Sequence, residues 1–473
     1  MALSAEQQDT IDLLLQEDVH LVQTDSIAGS GKSTLAKAAS DVIPGKHLYT
    51  SFMKSAVNEA LTKYDSNKVD CKTTHGLCYR TIVMQGLSMP GIKPGPRKVD
   101  FFGYRNITEV VTYDTKLSIV DTMEKYFTST YVSLTKFLDT TDVSDVVRTA
   151  VIKYVKQMAE KTIKCTHGFY MKYYHILLDR GVIPSPKYAF VVLDEAQDSS
   201  GVALEIFKLI DSPKKLLIGD PHQNCMSFAN SVNGFEVLKG EGVVTKLTTS
   251  YRVSDKIAPS IQKFGKKYLD PDFVFKGIPI EDETVKTKVY IARTNGSLIA
   301  KMIELNKRNI QYNLPREPEK MFKLLIDIVS LKPGSKIKGP NKFLVDDVRD
   351  YYQTNQEKSL LSFIASRHSK DKAIKTAVKT IVKYGGKLIW DTYNIAKAHN
   401  SAVTTFPLSL ATIHSSKGNT YDEAELDDDV FPDWLSDTSG MSEDEIQNEL
   451  NLLYIATTRQ RVSLINGEWL TEI

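Results

Sequence analysis

Short, nearly continuous apolar runs alternate with amphipathic stretches along most of the chain. Six runs stand out, at residues 19–24, 47–51, 188–193, 215–219, 289–292 and 408–413, and they end in small or charged residues. That is the pattern of parallel strands buried on both faces, with chemistry carried by the loop at each strand's carboxyl end. Helical patterns separate the runs. The expected fold class is therefore α/β, with crossover helices covering both faces of parallel sheets.

Two stretches break the alternation. Residues 89–98 form a basic Pro/Gly segment that cannot be helix, followed by helix-like sequence to about residue 185. Residues 316–405 read as helical around a Lys/Gly/Pro loop at 332–342 that carries Lys332, Lys336, Lys338 and Lys342. Both look like insertions into α/β domains. A length of 473 residues is too great for one compact core, so more than one domain is expected. No internal repeat or low-complexity tail is present.

A hydrophobic fraction of 42% with 25% charged residues describes a chain that buries real cores and is not disordered. The formal net charge of +2 argues at first against a polyanion binder. It is a cancellation. Residues 421–450 hold twelve Asp and Glu and no Lys or Arg, so the rest of the chain carries +14, the balance expected of a nucleic-acid partner. The acidic window itself reads as a solvated excursion.

The first thirty residues contain carboxylates but no Lys or Arg, and no window approaches ~20 apolar residues in a row. The expectation is a cytoplasmic chain with neither signal peptide nor membrane span, in a bacterial cell or, if viral, the host cell. Cys71, Cys78, Cys165 and Cys225 show no metal-like spacing and read as reduced, mostly buried thiols.

The candidate chemistry begins at Ser26-Ile27-Ala28-Gly29-Ser30-Gly31-Lys32-Ser33, which follows the first apolar run and leads into the helix-forming Thr34-Leu35-Ala36. Small residues let backbone N–H groups close around phosphates, Lys32 reaches the β and γ oxygens, and Ser33 offers its hydroxyl to Mg²⁺. Candidate ATP-binding residues are thus Ala28, Gly29, Ser30, Gly31, Lys32, Ser33 and Thr34. Asp194 and Glu195 follow the run at 188–193. Asp194 is suited to hold Mg²⁺ and Glu195 to orient and deprotonate the attacking water. Phosphoryl transfer also needs positive charge from outside the loop, and Arg252 and Arg459 are the candidates.

The ordered set of Gln7, the Lys32 loop, Asp194-Glu195-Ala196-Gln197, Gly219-Asp220-Pro221-His222-Gln223, Tyr251-Arg252, His414-Ser415-Ser416-Lys417-Gly418 and Tyr454 to Arg459 resembles superfamily 1 DNA helicases of the UvrD/PcrA/Rep type. Tyr49 to Ser55 and Asn451-Leu452-Leu453-Tyr454 resemble the F-box DNA helicase branch, with the expectation of a member lacking an F-box. The resemblance implies two RecA-like, parallel-sheet P-loop NTPase domains with ATP between them, each with an inserted, mostly helical subdomain. The first would occupy 1–88 and 186–245 with its insertion at 89–185. The second would occupy 246–315 and 406–473 with its insertion at 316–405. It also implies that Gln7 reads adenine, Tyr251 stacks on it, Gln223 senses the γ-phosphate, and Arg252 and Arg459 act as arginine fingers. Phe52 and Phe228 would stack on bases, with Lys54, Thr73, His75, Thr294, Asn295, Thr412 and His414 on the DNA backbone.

The implied activity is ATP-dependent translocation on single-stranded DNA, 3′-to-5′, with unwinding at single/double-strand junctions in replication, recombination or repair. Single-strand-binding or recombinase proteins are the partners such a motor meets. Three positions depart from the family pattern: Ala229 replaces a coupling arginine, Thr249 a glutamine, and Thr420 an acidic residue near the ribose. A translocase that strips proteins, a non-catalytic DNA-binding scaffold and another phosphate-loop enzyme are the rival readings. Lys375, Lys379 and Lys383, four residues apart, read as a solvated face or a contact to duplex DNA.

Overall fold

A computed structural model describes residues 3–84, 107–160, 162–225, 232–337, 340–354, 359–369, 371–401 and 405–472. The chain divides into two compact units, Met1–Ser250 and Tyr251–Ile473.

Six strands form the sheet of the first unit: β1 (Leu21–Ser26), β2 (His47–Ser51), β3 (Val69–Thr73), β4 (Phe190–Asp194), β5 (Lys214–Gly219) and β6 (Val243–Leu247). Their order is β3-β2-β4-β5-β1-β6, and every neighbouring pair is parallel. The period of two along a strand sorts the side chains into two cores. Tyr49, Phe190, Val192, Leu216 and Ile218 face one core, with helices α1 (Ala5–Leu15), α2 (Lys32–Val42) and α3 (Lys54–Lys63). Leu48, Val191, Leu193 and Leu217 face the other. There they meet α4 (Thr74–Met84), the helical segment α5 (Tyr113–Thr128), α6 (Leu134–Asp139), α7 (Asp145–Ala159) and α8 (His167–Asp179), and then α9 (Gly201–Leu209). The short α10 (Gly234–Val237) precedes β6.

Each helix from α5 to α8 opens on a Ser or Thr whose hydroxyl accepts from an amide three residues on: Thr112, Ser133, Ser144 and Thr166. Lys172 of α8 is buried and donates to the carbonyls of Ser129 (2.6 Å) and Tyr131 (2.9 Å) beyond the end of α5. Burial pushes its ammonium down to about 7.

In the second unit β7 (Thr249–Ser254), which carries the chain across the unit boundary, pairs with β8 (Lys276–Ile278). The main sheet has β9 (Lys288–Ala292), β10 (Leu408–Thr412), β11 (Tyr421–Leu426) and β12 (Gln460–Ile465) in the order β10-β9-β11-β12, again all parallel. Helix α11 (Ala258–Tyr268) follows β7, and α12 (Asn295–Lys307) follows β9. A helical segment then runs through α13 (Pro318–Val329), α14 (Leu344–Gln353), α15 (Leu360–Arg367), α16 (Lys372–Tyr384) and α17 (Gly386–Asn400). Its core of Phe322, Leu325, Ile374, Ile381 and Ile389 is continuous with that of α12. Helices α18 (Ile413–Ser416), α19 (Glu443–Ala456) and α20 (Trp469–Glu472) complete the unit.

The parallel α/β class expected from the apolar runs is present, but the runs understate the strands. β3, β6, β7, β8, β11 and β12 are absent from the six expected segments, and β1 begins and ends two residues later than predicted. The acidic window is not simply a solvated excursion. Its first six residues are β11, which lies between β9 and β12 with alternate residues buried. Asp422 Oδ2 accepts from the amides of Lys286 (3.0 Å) and Thr287 (2.9 Å), and Glu423 pairs with Lys288 at 2.8 Å. These carboxylates tie strands together, and their charge hid the strand from a hydropathy pattern. Cys78, Cys165 and Cys225 are buried and Cys71 is half-buried, all as free thiols. Among the described residues no helix is long and apolar enough to cross a membrane. The Pro/Gly segment at 89–98 lies outside the described residues.

Candidate nucleotide and nucleic-acid sites

Parallel register places the ends of β1, β4 and β5 at one edge of the first sheet, with Asp25 opposite Gly219 and Asp194 opposite Ile218. The loop after β1 turns there through Gly29 (φ 75°) and Gly31 (φ 84°), left-handed conformations that favour glycine. Gly31 is the N-cap of α2 and offers no side-chain cap to its first amides. The helix therefore presents unsatisfied N–H groups and the positive end of its dipole, an anion site by construction. The Ser30 hydroxyl is buried there without a hydrogen-bond partner. A buried donor left unmade is costly, and a phosphate oxygen would satisfy it.

Asp194 is 4% exposed. Its carboxylate accepts from Tyr49 Oη (2.5 Å) and from the Glu195 amide (2.9 Å). Burial, then the neighbouring Glu195 charge, pushes its carboxyl above the usual carboxylate range against the Tyr49 hydrogen bond and the charge of Lys32. A cation beside it would reverse that shift. Glu195 has φ 55°, a left-handed backbone on a residue other than glycine, and such outliers concentrate at functional sites. Its side chain accepts from Gln197 Nε2 at 2.6 Å. Gln197 Oε1 in turn accepts from the Asp220 amide (3.0 Å), and Asp220 Oδ2 accepts from Gln223 Nε2 (2.6 Å). A relay of buried polar groups thus joins Glu195 to Gln223.

Gln7 is 3% exposed. Its Oε1 accepts from the Ser4 amide (3.0 Å) in a capping box, and its Nε2 donates to the Gly31 carbonyl (3.2 Å). In the same unit Phe52 and His75 meet edge to face at 6.3 Å, and His75 contacts His167 and Tyr170 of α8 at 6.2 and 6.1 Å. Burial, then His167, lowers the His75 imidazole to about 4, so it is neutral near pH 7. Thr73 Oγ1 accepts from the Gly76 amide (3.0 Å), and Lys54 is exposed at the start of α3. Phe228 and Ala229 lie outside the described residues.

The second sheet brings Arg293–Asn295, Thr412–His414 and Asp427–Asp429 to its own carboxyl edge. Asp429 accepts from the amides of Arg293 (2.6 Å) and Thr294 (3.1 Å) and from Thr294 Oγ1 (3.1 Å). Arg293 forms a two-pronged pair with Glu449, Nε at 3.0 Å and Nη2 at 2.5 Å. Thr412 and Ser415 form a capping box on α18, which carries His414. Asn295 is exposed at the first position of α12. Arg252 and Arg459 converge on Thr458: Arg252 Nη1 donates to its carbonyl (3.2 Å) and Arg459 Nη2 to its hydroxyl (2.9 Å). Arg459 Nε donates to the Ile455 carbonyl (2.8 Å), and Arg459 is 1% exposed. Tyr251 is 42% exposed.

Residues 49–235 match the UvrD/REP helicase N-terminal domain. The chain also aligns over its full length with F-box DNA helicase protein 1 of Schizosaccharomyces pombe, at 23% identity, and with F-box DNA helicase 1 of Gallus gallus, at 22%. It covers 58% and 49% of those proteins, so the chain spans about half the length of the curated relatives it matches. The resemblance to UvrD-type superfamily 1 helicases read from the motifs is borne out. The UvrD/REP match begins at Tyr49, beyond the Lys32 loop, whose reading rests on its own geometry.

Three side chains in the UvrD-matching region escaped assignment from sequence. Gln197 bridges Glu195 and Asp220, Asp220 holds Gln223, and Tyr49 holds Asp194. Gln197 and Asp220 lie inside motifs already singled out, so their proximity in sequence was a signal. Tyr49, on β2, meets Asp194 only through the strand pairing.

Proposed function

We propose that this chain is an ATP-dependent DNA helicase that translocates on single-stranded DNA, 3′-to-5′, and opens duplex DNA at single/double-strand junctions. The observation that carries the reading is the first sheet edge, where an uncapped helix start with Lys32 and the partnerless Ser30 hydroxyl adjoins the buried Asp194 and the half-buried Glu195. The likeness to UvrD/REP and F-box DNA helicases supplies the substrate class. In this reading the two units are RecA-like domains, and the helical segments between β3 and β4 and between β9 and β10 are their inserted subdomains.

The chain's own groups divide the work. Backbone amides of the loop, the Ser30 hydroxyl and Lys32 hold the phosphates of ATP, Gln7 braces the loop through the Gly31 carbonyl, and Tyr251 addresses the nucleoside. The donor set of a Ser33 hydroxyl and a buried Asp194 carboxylate fits Mg²⁺, which when bound neutralises phosphate oxygens. Glu195, held by Gln197, orients a water and takes its proton. The water oxygen bonds to the γ-phosphorus as the bond to the β–γ bridging oxygen breaks, releasing ADP and phosphate. Gln223 reports the γ-phosphate through Asp220 and Gln197, and Arg252 and Arg459 supply charge once they leave Thr458. Phe52 and Phe228 stack on bases, with His75 beside Phe52. Lys54, Thr73, Thr294, Asn295, Thr412 and His414 hold the strand's backbone.

The decisive experiment measures ATP hydrolysis with and without single-stranded DNA for wild type and Lys32→Ala. DNA-stimulated hydrolysis lost in Lys32→Ala is expected. Equal rates in both proteins would overturn the reading. Unwinding of tailed duplexes tests the polarity, with opening from a 3′ tail expected. Displacement of a bound protein without unwinding would assign a translocase instead.

A further inference from the structure

Glu6 and Gln7 are consecutive residues in the first turn of α1, about 100° apart around the helix, so their side chains leave in different directions. Gln7 Nε2 donates to the Gly31 carbonyl at 3.2 Å. That oxygen also accepts from the amides of Thr34 and Leu35, both at 3.0 Å, so Gln7 grips the pivot from which α2 leaves the phosphate loop. Glu6 turns toward the end of the neighbouring strand, β6. One carboxylate oxygen accepts from the Thr248 amide at 2.9 Å and the other from the Thr248 hydroxyl at 2.5 Å. Thr10, one turn along, bonds Thr245 of β6 at 3.1 Å and fixes the helix to that strand. The Ser4–Gln7 capping box stiffens the turn that bears both residues.

Thr248 is the last residue before β7, which crosses into the second unit and carries Tyr251 and Arg252. Arg252 in turn bonds the Thr458 carbonyl, next to Arg459. Accepting both the amide and the hydroxyl of one residue fixes the backbone direction at the start of the crossover.

We propose that Glu6 and Gln7 are positioning residues that link the phosphate loop to this crossover, so that a nucleotide bound at Gly31 is sensed at Thr248 through α1. Gln7 then acts on the loop whichever base the nucleotide carries. The inference rests on the nucleotide-binding part of the function proposed above and adds a route by which that site controls the segment bearing Tyr251 and Arg252.

The test measures amide exchange over residues 245–254 with and without Mg²⁺ and a non-hydrolysable ATP analogue, together with hydrolysis of ATP and GTP. In the wild type the analogue slows exchange across the crossover. In Glu6→Ala that response disappears and DNA-stimulated kcat falls about fivefold, while basal kcat and KM stay at wild-type values. Glu6→Gln restores both responses, because an amide oxygen still accepts from the Thr248 amide and its NH₂ can donate to the hydroxyl. Gln7→Ala raises KM for ATP and GTP by the same factor, again about fivefold. A crossover in Glu6→Ala that responds as in the wild type overturns the link, and a KM rise confined to ATP overturns the loop role of Gln7. Failure of the hydrolysis reading would show separately, as Lys32→Ala hydrolysing ATP like the wild type, and the exchange experiment would still report the link.

Discussion

The two main sheets present the same edge in opposite conditions. Both are parallel, and both gather loop residues at the carboxyl ends of their strands. At the first edge polar groups are held in reserve: the Ser30 hydroxyl is buried without a partner, the start of α2 is uncapped, and Asp194 is kept well above the usual carboxylate range by burial and Glu195. At the second edge the chain closes on itself. Asp429 takes two amides and the Thr294 hydroxyl, and Glu449 takes Arg293. A strand-end loop becomes a ligand site when its donors are denied internal acceptors. When the acceptors are supplied from within, the same architecture becomes a rigid platform.

The largest effect that could break this contrast is at Lys32. Lys32→Ala is expected to lower kcat for ATP at least about 100-fold, the scale of losing one preorganised charge at a phosphoryl group. A steady-state rate within threefold of wild type would put the chemistry elsewhere. Gly219→Ala sharpens the contrast next. An added Cβ would collide with Gln197 Oε1 and lie 2.9 Å from the Ala196 amide, so the link between Glu195 and Asp220 must shift. Denaturant unfolding should show a loss of about 1–3 kcal/mol, accompanied by a lower kcat.

The second edge is tested by Glu449→Ala, which strands the partly buried Arg293 guanidinium. A loss of about 1–2 kcal/mol in unfolding free energy is expected. No loss would mean that the second edge is not held by its own acids. A further effect, seen only as pH falls, lies away from both edges. His175 of α8 is buried, its Nδ1 has no partner, and burial, then Lys172, lowers it to about 4 while Asp179 opposes. The unfolded chain binds this proton below about 6.5 and the folded chain only near 4, so stability is lost as pH falls from 6.5 toward 4. His175→Leu should make unfolding free energy less steep across that window, with ATP hydrolysis at neutral pH unchanged.

How much of this was legible in the sequence depended on the kind of signal. Strands buried on both faces, such as β2 and β4, announced themselves as apolar runs. The missed strands are those whose residues alternate or carry charge. β11 reads Tyr-Asp-Glu-Ala-Glu-Leu, and its carboxylates are explained only by the amides and lysine that tertiary pairing brings beside them. The Lys32 loop and Asp194-Glu195 were legible because their spacing is local. The engagement of Gln7 with Gly31, of Tyr49 with Asp194 and of Thr294 with Asp429 spans 24, 145 and 135 residues, and no local pattern encodes such pairs. Arg252 and Arg459 could be named from their motifs, but not their shared engagement of Thr458.

The left-handed backbone at Glu195 has a consequence for how such a chain changes over generations. A glycine there would relax the conformation, on the order of 1 kcal/mol in favour of the fold, while deleting the carboxylate. Selection for robustness alone would therefore erode this position, so keeping the carboxylate depends on continued demand for what it does. A library of random variants sorted only for thermal resistance should accumulate glycine at 195.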